Sequence, residues 1–93
     1  MQPTVLAPGT RVDPSWTPVS SPAEAAHLVS AGVTVVVELP SGLNAALAVA
    51  SVFRWYGAQV FVTAHQDEVR QALDMTDSLA GRRPPALTRR GLA

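Results

Sequence analysis

Glu38 and His65 are the two side chains best suited to proton chemistry in this 93-residue chain. Each closes an apolar run that reads as a strand, so both fall at the C-terminal edge of a parallel sheet, where α/β proteins place their sites. A carboxylate beside an imidazole that titrates near neutral pH can do acid–base work. The structural alternative has Glu38 turned to solvent or to a helix N-terminus, and His65 leading into a helix cap. Ser41 sits in the turn Pro40-Ser41-Gly42-Leu43-Asn44, whose backbone N–H groups and following helix dipole suit a phosphate or carboxylate. One Gly there is far from a Gly-rich fingerprint, and a plain strand-to-helix turn is the favoured reading. Glu38, Ser41, Thr63 and His65 form the candidate ligand-binding set, and no catalytic residue is assigned.

Other reactive types are sparse. His27 lies on a helix among small and polar neighbours and is read as a surface residue. Two His and no Cys give too few ligands for a zinc site and exclude disulfides and thiolate catalysis, so neither a metal nor a cofactor is expected. Phe53, Trp55 and Tyr56 concentrate aromatic surface at a helix end beside Arg54. Such a cluster either anchors an interface, where Trp, Tyr and Arg dominate, or fills the core of a small domain. Arg82, Arg83, Arg89 and Arg90 follow the last acidic residue, Asp77, without interleaved aromatics. They read as a solvated tail, or one that pairs with acidic groups on a partner, before they read as a nucleic-acid arm.

The elements that must position these groups are legible from their caps and periods. Residues 1–20 carry Pro3, Pro8, Pro14 and Pro18 and form a Pro-rich arm with a short strand near Thr4–Ala7 and a Trp16 that needs an apolar surface to dock on. Ser21-Pro22-Ala23-Glu24 is a capping box opening a helix over 22–31, which Gly32 ends. The β-branched run 33–39 lacks polar alternation and reads as a strand covered on both faces. Ser41 is placed to cap a helix over 42–56, apolar almost all round, with Leu43, Leu47, Ala50 and Phe53 on one face. A second buried strand spans 59–64. A final helix over 66–80 carries Val69, Leu73, Thr76 and Leu79 inward, Asp67, Glu68, Arg70, Asp74 and Asp77 outward, and stops at Gly81. Right-handed crossovers make the two strands parallel neighbours. The expectation is therefore α/β: a small parallel sheet of two to three strands with helices in βαβα order, layered on both faces, over 21–81, with an Arg/Pro-rich tail over 82–93.

Net charge is zero, which gives no global attraction to nucleic acid or an anionic membrane. All seven basic residues are Arg. The apolar stretch around 43–53 is too short to span a bilayer, and no basic segment precedes a long apolar run near Met1, so a cytoplasmic location is expected.

Ala72-Leu73-Asp74-Met75 and the ending Gly81-Arg82-Arg83-Pro84-Pro85 through Arg90-Gly91-Leu92-Ala93 resemble the C-terminus of a high-GC-bacterial branch of the dihydropteroate synthase (pterin-binding) family. The likeness covers residues 44–93, with the helix ending at Gly57-Ala58 and the strand beginning near Phe61. The resemblance implies the last units of a (β/α)₈ barrel, pterin chemistry in folate biosynthesis and a homodimer formed through the last helices. In that family the last strand ends in an Arg-x-His pair that holds the pterin diphosphate. The gapless positions here are Val62 and Ala64, with His65 one residue later. The family's Lys after the preceding strand has no counterpart, and the loop there has shrunk to residues 40–44. The sequence thus points to a non-catalytic module that works by association with a second copy or a full-length paralogue. The alternative is a residual pterin-diphosphate-binding protein or a related transferase, with pterin as its ligand.

Overall fold

The computed structural model describes residues 2–82. In chain order they form β1 (Thr4–Leu6), β2 (Thr17–Pro18), α1 (Pro22–Ser30), β3 (Val35–Glu38), α2 (Leu43–Trp55), β4 (Val60–Val62) and α3 (Gln66–Leu79). The four strands make one sheet, all parallel, in the order β1-β4-β3-β2. The α/β class and the parallel pairing of the two central strands are as the sequence led one to expect. The sheet has four strands rather than two to three, because the Pro-rich N-terminal residues supply both edges. Residues 83–93 of the Arg/Pro-rich tail lie outside the described residues.

Register fixes which side chains share a face. Val5, Phe61 and Val37 are partners across β1, β4 and β3; Val36 and Val60 are partners one residue earlier, on the opposite face. The first set, with Val35, belongs to the main core, which takes Ala25 from α1, Ala46, Ala50 and Phe53 from α2, and Val69 and Leu73 from α3. All three helices therefore pack on one face. The steps β2 to β3 and β3 to β4 run in the same direction across the sheet, and right-handed crossovers then put their helices on the same side. The expected covering of both faces by helices is corrected accordingly. The other face (Val36, Val60, Val62) is covered by Leu6, Val12 and Trp16. Trp16 is delivered there by a turn in which its N–H donates to the Asp13 carbonyl at 3.0 Å, with Pro14 at the second position. The Asp13 carboxylate accepts from the Ser15 N–H at 2.8 Å and hydroxyl at 2.7 Å, which holds its carboxyl below the usual range.

Helix ends follow local chemistry. Ser21 Oγ accepts from the Glu24 N–H at 3.1 Å, and the Glu24 carboxylate accepts from the Ser20 N–H at 3.2 Å. The cap of α2 departs from expectation: its N-cap is Gly42, without a side-chain hydrogen bond, and Ser41 lies one residue outside the helix. Each helix closes with a Schellman pair of hydrogen bonds, for α2 Ala58 N–H to Phe53 carbonyl and Gly57 N–H to Arg54 carbonyl. Gly57 has φ +101°, and a Cβ there would sit 2.9 Å from Val29 Cγ1, so both its backbone and the approach of α1 require glycine.

Candidate functional site

The C-terminal ends of β2, β3 and β4 and the inner side of α2 enclose a cleft of about 640 Å³. Val19, Val37, Leu39, Val49, Phe53 and Val62 supply apolar walls; Ser20, Glu38, Ser41 and Thr63 supply polar atoms. Pairing with Val62 places Glu38 on the sheet face that carries Trp16. Glu38 is exposed and, among the described residues, has no hydrogen-bond or ion-pair partner. Thr63, one residue past β4, is buried at 2% exposure, and its Oγ1 accepts from the His65 N–H at 3.0 Å.

His65 takes the N-cap position of α3 but does not cap it with its side chain. Its Nε2 instead lies 2.7 Å from the Ser41 carbonyl oxygen. A carbonyl only accepts, so Nε2 is the donor in this contact. This bond ties the turn after β3 to the turn after β4. Three of the four candidate residues, Ser41, Thr63 and His65, are thus joined, while no hydrogen bond or ion pair connects Glu38 to His65. Among the described residues no group of three or more His, Cys, Asp or Glu is arranged to hold a metal ion. No helix among them is long and apolar enough to cross a membrane.

A second cluster lies on the far side of α2. Phe53 is a core residue at 6% exposure, whereas Trp55 (52%) and Tyr56 (48%) face outward. With Ser51, Val52, Thr76 and Leu79 they line an apolar groove of about 400 Å³ between α2 and α3. Beneath it sits a cluster that sequence reasoning missed. Arg54 Nε donates to Asp77 Oδ1 at 2.7 Å and Arg54 Nη2 to Asp77 Oδ2 at 3.1 Å, a bidentate pair with both residues buried. Arg54 Nη1 donates to the Ala58 carbonyl at 2.9 Å. Arg82 closes the cluster from outside, donating to the Arg54 carbonyl at 2.7 Å and the Trp55 carbonyl at 2.6 Å, and meeting Asp77 Oδ1 at 3.4 Å. Asp77, expected on the solvated side of α3, is buried because this pair joins α3 to α2. The signal for it was present as spacing: Asp77 follows Leu73 by four residues, and Arg54 follows Ala50 by four.

No protein-family model, curated protein or solved structure matches this chain. The geometry of the two surfaces is therefore what a functional reading rests on.

Proposed function

We propose that this protein is a non-catalytic association module that pairs with a second copy through the outer surface of α2 and α3. The observation that carries the reading is the apolar surface left there. Val52, Trp55, Tyr56, Met75 and Leu79 are between 46% and 73% exposed, and the first three with Leu79 share one groove. Contiguous apolar surface of this kind on a small chain marks an interaction site, and Trp and Tyr are the residues that dominate interface energetics. Trp16, the aromatic residue able to fold back over it, is engaged on the opposite face of the sheet. The buried Arg54–Asp77 pair links α2 to α3, the two helices that line the groove. The resemblance to dihydropteroate synthase C-termini supports the same surface, since it implies a homodimer through the last helices.

The pterin-diphosphate reading finds less support. A diphosphate needs cations, yet among the described residues the lining of the edge cleft includes no Arg and one carboxylate, Glu38. The uncoupled Glu38 and His65 likewise offer no paired acid and base. Light scattering on the full chain tests the association. The wild type and a Thr10→Asp control should have a dimer's mass, and Trp55→Asp a monomer's. A monomeric wild type, or a Trp55→Asp variant that stays dimeric, would overturn the proposal.

A further inference from the structure

We infer that the cleft at the C-terminal edge of the sheet binds a small protonated amine carried on an apolar body, with Glu38 as its counter-ion. The volume, about 640 Å³, is in the range of small-molecule sites, and its position at the strand ends is where parallel sheets bind ligands. Its walls are apolar on both sides of the sheet edge, from Val37 and Phe53 to Val62. Glu38 is the one formally charged side chain lining it, and no protein group neutralises that charge among the described residues.

Charge decides the ligand class. An anion entering the cleft would shed water against the Glu38 carboxylate, with no cationic side chain among the described lining residues to receive it. The first turn of α2, whose dipole would favour an anion, contributes no residue from 42 to 46 to the lining; α2 lines the cleft through Val49 and Phe53. A neutral apolar molecule would leave Glu38 unused. A primary ammonium has three N–H donors and no acceptor, and the cleft lining carries acceptors of the right kind: the Glu38 carboxylate and the Ser20 and Ser41 hydroxyl oxygens. The apolar body then lies over the strand ends toward Val62, on the same sheet face as Glu38.

The probes are 2-phenylethylammonium and phenylacetate, alike in size and opposite in charge, titrated separately into the isotopically labelled full chain while backbone amide shifts are followed. The amine should give saturable shifts at Glu38, Leu39, Ser41 and Thr63, and phenylacetate should give none there. Glu38→Gln, a substitution at an exposed position, should weaken the amine by about fivefold or more. Added salt should weaken it as well, because the carboxylate is open to solvent. Absence of saturable amine shifts, phenylacetate binding as tight as the amine, or unchanged amine affinity in Glu38→Gln would each overturn the inference. The titration reads the edge cleft alone, so its failure is distinguishable from failure of the association through α2 and α3.

Discussion

At the scale of single residues, Arg54 and Asp77 contribute most to holding the proposed interaction surface in shape. Both are within 6% of full side-chain burial and form two parallel hydrogen bonds, with the Ala58 carbonyl taking a further guanidinium donor. Desolvating two charges is costly, so the pair need not be more stabilising than apolar residues of the same shape. Removing one partner is different, because it leaves a buried charge uncompensated. Asp77→Ala is expected to destabilise the chain by about 3–5 kcal/mol. The double replacement Arg54→Met with Asp77→Leu should recover much of that loss. Urea unfolding of the wild type and the two variants checks this. A single-variant loss under about 0.5 kcal/mol, the level of an exposed ion pair, would show that the contact is dispensable.

At the scale of elements, helix boundaries were written in the sequence most clearly. The Ser21 capping box and the glycines at 32, 57 and 81 are local devices, and the structure uses each where its chemistry directs. Gly57 is the most constrained of the three that end helices, since it combines positive φ with the 2.9 Å approach to Val29, while Gly32 and Gly81 have open space. Gly57→Ala should therefore cost more than Gly32→Ala, by about 1 kcal/mol or more beyond the strain common to both. Thermal unfolding of the two variants compares them, and equal losses would mean that α1 shifts to relieve the contact. β3 and β4 were equally legible, because valine-rich runs without polar alternation have few places to go except a sheet interior. β1 was anticipated as a short strand near Thr4–Ala7, but β2, two residues ending on Pro18, was not. The edge pairing of both depends on a partner strand elsewhere in the chain. The same reasoning applies to the candidate site. Parallel strands placed Glu38, Ser41, Thr63 and His65 at one edge, but the His65–Ser41 bond and the Arg54–Asp77 pair depend on tertiary placement. The i, i+4 spacing from Ala50 and Leu73 is compatible with burial of Arg54 and Asp77, but charge alone assigned Asp77 to the solvated side, and nothing local paired the two.

At the scale of the whole molecule, the sheet is asymmetric: three helices cover one face, and an extended segment with Trp16 covers the other. That division uses the large apolar residue of the N-terminal segment and leaves the outside of α2 and α3 to something else. The proposed occupant is a second copy offering the same apolar patch. The proposed pairing of identical copies through one patch would close as a two-fold dimer. The absence of cysteine allows a direct test, since a single introduced thiol can carry a spin label without competition. Ala48 is exposed on α2, four residues before Val52, and Thr10 is exposed on the segment between β1 and β2. Labels at Ala48→Cys should give a defined distance between two copies by pulsed dipolar spectroscopy, shorter than that from labels at Thr10→Cys. No intermolecular dipolar signal at Ala48→Cys, or a shorter distance from Thr10→Cys, would contradict pairing through α2 and α3.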